Sequence, residues 1–336
     1  MAAKAWGTQQ KSVEEVFFQN EAVSLCLLVN RRARTMRVVD FRAGPTNAKR
    51  LFVLSLAQRE GVDKVYTLVE RDEVATWVKL GFAKEGNIPG FYKRSDAFLL
   101  GCTVPRTPAA LRAKTLDRIP DDDEDIPSQS EIRLAVSART APAADAAPEA
   151  PAGPPPMSPA QEKMERTILT AKKHLKDLTD KSVPPAKVAQ VSETEARKAV
   201  ATALKNGRAL TAFEPFGRDA ERRYFVATAR GGFELYASTE SQACFGNAYL
   251  ELLQGPRNEA EKLATAGALK AMCDKLLSEG VVSCFSLAPS DDVSLAMAFL
   301  HNGFRRTGLL VDHLLVGNSR KDAILWGRKL ANPTDE

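Results

Sequence analysis

The chain has 336 residues, 44% of them hydrophobic and 26% charged, with a net charge of +5. That is material for about two ordinary domains and a linker, and the dispersed basic residues, without a concentrated face interleaved with aromatics, exclude a dedicated nucleic-acid module. No run approaches the roughly 18 apolar residues of a membrane span, and the amino terminus has no apolar leader region, so a cytoplasmic protein without membrane association is expected. Cys26, Cys102, Cys244, Cys273 and Cys284 contain no CxxC pair and are expected as buried thiols. His174, His301 and His313 show no metal-ligand spacing, so no metal is expected. The basic groups at Arg31 to Arg34, Arg218 to Arg223 and Arg328 to Lys329 read as solvated surface.

In chain order, Ser12 to Glu15 has the form of a capping box and predicts a short helix. Ala22 to Asn30 and Thr35 to Phe41 are apolar, β-rich runs expected as antiparallel neighbours. A Gly44-Pro45 turn leads into a helix over Ala48 to Arg59 that Gly61 stops. A strand over Lys64 to Glu70, a short helix over Glu73 to Leu80 and a hairpin complete the first part.

Residues 105–158 differ in kind: an acidic run at Asp121 to Asp125 precedes an alanine/proline tract without apolar period. Such a segment cannot offset its own ordering entropy and is expected as a disordered tether. Pro159 to Lys181 predicts an exposed or docking helix. Ser192 with Glu195 opens a helix that Gly207 ends. Strands follow at Gly232 to Ser238 and Asn247 to Leu253, then a helix over Ala260 to Glu279, a strand over Val281 to Leu287, a helix over Val293 to Leu300 and a hairpin.

The two ends of this series match. Gly81-Phe82 corresponds to Gly303-Phe304, Gly86 to Gly308, and Asp96 to Gly101 corresponds to Asp322 to Gly327. A repeated helix, turn, strand, hairpin unit cannot hide its apolar faces alone, so each half is expected to be a small α/β module. The predicted organisation is a module over 1–104, a linker over 105–158, a connecting helix over 159–184 and a module over 185–336. Each module is expected as a mixed, mostly antiparallel sheet flanked by helices.

At Arg37 to Phe41, Ile88 to Tyr92 with Asp96, Glu214 to Phe216, Ala237-Ser238, Asn247-Ala248, Gly308-Leu309 and Gly317 to Leu330, the chain resembles the GNAT acyl-CoA N-acyltransferases. It looks closest to the two-part beta-lysine N-acetyltransferase family, which pairs a degenerate amino-terminal half with an active carboxy-terminal one. The resemblance implies acetyl-CoA or another acyl-CoA as cofactor and a small amine or amino acid as acceptor.

Such a transfer needs a phosphate cradle, a base for the amine and an acid for the thiolate. The cradle is ordinarily a glycine-rich turn whose amides and helix dipole hold pyrophosphate. The matching segment assigns Leu253, Gly255, Arg257, Ala260 and Lys262 to the cofactor. However, Glu259 stands at the arginine position and Lys262 at the last glycine, and a carboxylate about 4 Å from a phosphate costs on the order of 1–4 kcal/mol. In the first half Ala48, Lys49 and Arg50 are the anion candidates, or else ordinary exposed helix residues.

Glu251 is the candidate base, or else a solvent-facing strand residue, with Tyr249 beside it. The family's tyrosine acid falls at Phe299 and Trp77, neither of which donates a proton; Tyr249 or Tyr236 is the substitute. Asp312 and His313 fall on the substrate side. Two readings remain: an acyltransferase whose activity is weak, altered or lost, or a pseudo-acetyltransferase that binds or regulates a protein partner. An open V between the strands at 247–253 and 281–287 favours the first, and a filled V the second.

Overall fold

A computed structural model describes residues 13–19, 24–42, 47–92, 95–106, 157–178, 183–218, 220–242 and 246–331. The expected tether falls almost wholly on 107–156, and the turn after Gly44 on 43–46, outside the described residues. The strands are β1 (Val13–Gln19), β2 (Ser24–Asn30), β3 (Thr35–Arg42), β4 (Lys64–Val69), β5 (Ala83–Ile88), β6 (Ala97–Thr103), β7 (Ala186–Val191), β8 (Glu221–Ala229), β9 (Phe233–Gln242), β10 (Asn247–Leu252), β11 (Ser283–Pro289), β12 (Arg305–Val316) and β13 (Ser319–Lys329). The helices are α1 (Asn47–Arg59), α2 (Val74–Lys79), α3 (Pro159–Leu178), α4 (Glu193–Lys205), α5 (Glu259–Ser278) and α6 (Val293–His301).

The fold is mixed α/β, as expected. Its strands form one sheet in the order β1-β2-β3-β4-β6-β5-β12-β13-β11-β10-β9-β8-β7. From either end inward the pairing is the same: antiparallel β1-β2-β3 matches β8-β9-β10, then comes a parallel neighbour, β4 or β11, then an antiparallel hairpin. Among the described strands, β7 alone has no counterpart.

Equivalent residues repeat their local bonds. Phe82 N–H donates to Trp77 O at 3.1 Å and Phe304 N–H to Phe299 O at 3.1 Å. In both hairpins an Asp carboxylate accepts the N–H of a positive-φ residue, Asp96 from Gly90 and Asp322 from Asp312, each at 2.8 Å.

The halves meet at a seam where β5 pairs with β12 through Gly86 and Gly308. These are the two repeat-equivalent glycines, so the seam is a local pseudo-twofold, the internal form of an isologous contact. A Cβ on Gly308 would lie 2.5 Å from both Glu85 O and Gly86 Cα. Among the described residues four apolar clusters fill the layers: one beneath the first half, one under α5 and α6, one across the seam that joins Tyr66, Ile88 and Phe91 to Phe216, Tyr249 and Phe285, and one that packs Ala196, Val200 and Ala203 of α4 on Phe213 and Leu253. Helix α3 docks on the second half by burying Met164, Ile168 and Ala171.

Several sequence expectations need correction. Val13 to Gln19 is a strand, not a helix, because all seven residues pair with β2 and a full ladder outweighs one local cap. Strands β7 and β8 escaped sequence reading: β7 is short and largely exposed, and the arginines of β8 interrupt its apolar alternation. Cys26, Cys273 and Cys284 are buried and Cys102 half-buried, none in a disulfide; Cys244 lies outside the described residues. No described helix is long and apolar enough to cross a membrane.

Candidate functional site

Strands β10 and β11 pair only from Asn247/Ser283 to Tyr249/Phe285, although β10 continues to Leu252 and β11 to Pro289. The pair therefore splays. Leu253 N–H donates to Tyr236 O at 2.9 Å, so strand alternation turns the backbone groups of Leu250 and Leu252 toward the splay. The opening is narrow. A cavity of about 70 Å³ lies there, lined by Leu252, Leu287, Tyr249, Glu251, His313 and Tyr66 among others, room for a few waters rather than the several hundred Å³ of an ordinary ligand pocket.

The structure brings three predicted residues, Tyr249, Glu251 and His313, to this cavity, and adds a first-half wall of Arg32, Thr35 and Tyr66. Glu251 is 6% exposed, not solvent-facing. Its Oε1 accepts from the Thr211 hydroxyl at 2.6 Å, and its Oε2 from the Ser238 hydroxyl at 2.9 Å and Arg222 at 2.5 Å. Arg222 also binds Glu240, which accepts the Phe216 and Gly217 N–H groups. Burial opposes the Arg222 charge, but Glu251 and Glu240 more than offset it and raise its pKa. The expectation that Arg218 to Arg223 and Arg31 to Arg34 are solvated surface is thus wrong at two positions. Arg222 is interior, and Arg32 grips Glu214 through two bonds of 2.5 and 2.7 Å. Phe213, at φ +56°, turns the backbone that delivers Glu214. Burial pushes the Tyr249 phenol well above its usual pKa, which makes it a weaker acid.

The cofactor candidates lie at the start of α5, where the helix caps itself. The Asn258 side chain accepts Glu261 N–H at 2.9 Å, and the Glu261 carboxylate accepts both the Arg257 N–H and its guanidinium at 2.7 Å. Lys262 is buried, 3.0 Å from His174 Nδ1 and paired with Glu259. Arg208 donates to Gly255 O at 2.7 Å, and the Leu253 carbonyl accepts Leu210 N–H at 2.9 Å. Four of the cofactor candidates, Leu253, Gly255, Arg257 and Lys262, therefore have partners within the protein, and two carboxylates occupy the first turn.

In the first half, Lys49 and Arg50 are buried rather than exposed. Lys49 Nζ sits 4.7 Å over the Trp77 ring, and Arg50 donates to Leu80 O. Gly81 makes this possible, since a Cβ there would lie 1.8 Å from Arg50 Nη1. Ala48 is the second residue of α1. At the acid positions, Trp77 packs edge-on against Phe82 and Phe299 stacks on Trp326. Tyr236, the other candidate, reaches only Glu195, at 3.5 Å.

Asp312 is exposed at a bulge of β12, while His313 is buried with no partner for Nδ1 among the described residues. Burial, then Lys64 and Arg320, hold its pKa well below 6.5, and Tyr66 packs edge-on at 4.9 Å. The folded state thus keeps His313 neutral while the unfolded chain takes up a proton below about pH 6.5. This contribution to stability is present above the unfolded pKa and declines as pH falls through it. Lowering the pH below about 6.5 should lower the urea midpoint of wild type more than that of His313→Phe, whose profile is the flatter.

Among solved structures, the chain is similar to the ribosomal-protein-S18-alanine N-acetyltransferase from Escherichia coli, at 18% identity over 45% of this chain and 97% of that one, with a TM-score of 0.34. It is also similar to a spermidine N-acetyltransferase from Vibrio cholerae in complex with CoA and spermine, at 10% identity over 43% of this chain and 95% of that one, with a TM-score of 0.35. No family model and no curated protein matches the chain. Among the described residues no group of His, Cys, Asp or Glu is arranged to hold a metal ion.

Proposed function

We propose that the chain is a tandem protein of GNAT acyltransferase type, with modules at 1–104 and 185–336, in which ordinary acetyl transfer is lost and the retained role is binding or regulation of a partner. The single observation that carries this reading is the engagement of Glu251. A general base must meet the proton it takes, directly or through one water, and this carboxylate already serves a guanidinium and two hydroxyls in a buried network. The self-capped start of α5 supports the same conclusion for the cofactor. The splay of β10 from β11 favours the other reading, a weak acyltransferase with a small amine or amino acid as acceptor.

Calorimetric titration of the full chain with acetyl-CoA tests the proposal. The expected result is no heat of binding up to about 1 mM, an affinity ceiling near −4 kcal/mol. Micromolar binding by the folded chain would overturn it and direct the work to acceptors.

A further inference from the structure

The seam holds a second cavity, of about 190 Å³, walled by Phe91, Tyr92, Phe216, Tyr249 and Phe285, with Arg37 at its side. Half-buried Val39 and Ala220 also line it. The register of β3 on β4 and of β10 on β11 places Arg37 where the second half has Tyr249, so the cation is peculiar to one half.

Arg37 is 8% exposed. One guanidinium nitrogen donates to Phe216 O, Cζ lies 4.5 Å over the Phe216 ring, and Nε has no hydrogen-bond partner among the described residues. Other buried cations along the seam have carboxylates: Lys64 has Glu85, Arg32 has Glu214, and Arg222 has Glu240 and Glu251. No described carboxylate pairs with Arg37. Glu240, which also lines the cavity, acts on Arg37 through space without pairing with it; a buried charge without a direct ion pair is costly, and a planar guanidinium is suited to a carboxylate fork.

We propose that this cavity binds a small aromatic monocarboxylate, its carboxylate on Arg37 and its ring against the aromatic walls. The size fits: an apolar cavity of about 150 Å³ takes benzene, which leaves room here for one ring and a carboxylate. Aromatic walls alone would also suit a quaternary ammonium, but Arg37 repels one. Glu240, also in the wall, has its oxygens on Arg222 and two backbone amides, so its charge is already engaged by the protein and it disfavours a second carboxylate on the ligand. This inference goes beyond the loss of acetyl transfer, and neither result with acetyl-CoA bears on it.

The test is calorimetric titration of the full chain with sodium benzoate, with benzamide as neutral isostere and benzyltrimethylammonium as cation. Benzoate is expected to bind with Kd of about 0.1–1 mM, an ordinary affinity for so few atoms, and benzamide at least tenfold more weakly. Arg37→Met should weaken benzoate at least tenfold. Val39→Phe, which keeps the cation and enlarges a side chain that lines the cavity, should also weaken it and decides the matter if Arg37→Met does not fold. No heat with benzoate at about 10 mM, equal binding of benzamide, preference for the ammonium, or unchanged binding in a folded variant overturns the proposal.

Discussion

Replacing Arg222 by alanine is expected to lower stability by about 3–5 kcal/mol, the cost of leaving buried charge uncompensated, read as a fall in the urea midpoint. The guanidinium is 11% exposed and spans Glu240 and Glu251, which are 5% and 6% exposed. It also donates to Glu214 O. Its removal leaves two buried carboxylates whose remaining partners are neutral hydroxyls and amides. The loss should be partly recovered in Arg222→Ala combined with Glu251→Gln, because the double variant retains one buried charge fewer; coupling of this kind is expected for residues sharing one network. A double variant no more stable than the single one would show that lost packing, not electrostatics, dominates.

Gly308→Val should cost about 3 kcal/mol, the upper end of the range for over-packing, because the atoms it meets are backbone. The new Cβ would lie 2.5 Å from Glu85 O and Gly86 Cα, and neither can swing aside as a side chain does. Strands β5 and β12 must separate, carrying with them the Lys64 bond to Val311 O and the aromatic layer across the seam. Thermal unfolding should begin earlier and over a broader range, as the two halves lose part of their mutual support. An unfolding midpoint equal to wild type would refute the close approach of the two glycines.

Most local elements were legible in the sequence. Ser192 caps α4 through Glu195 N–H and Gly207 follows at φ +65°, as the capping signals require. The repeated Gly-Phe turns and Asp-anchored hairpins recur with the same bonds in both halves, because each is set by residues close in sequence. Single-residue environments in the site were not legible. A periodic pattern distinguishes faces of a strand, yet Glu251, Arg222 and Glu240 sit on strands whose inward face carries charge, so polarity misreports burial. Lys49 and Arg50 were misread for the same reason: Gly81 leaves an empty volume that only the folded chain places beside Arg50.

The sequence by itself determined the mixed α/β class and carries the repeated motifs, Gly81-Phe82 with Gly303-Phe304 and Gly86 with Gly308, since local caps and turns are written in consecutive residues. Only the tertiary structure decided that the halves join through Gly86 and Gly308 into one sheet. It also decided that Glu251 answers to Arg222 and that Arg37 faces an aromatic cavity without a carboxylate in ion-pair contact. The physical reason is distance along the chain: these contacts join segments remote in sequence, and whether a buried charge is paired depends on what folding brings beside it.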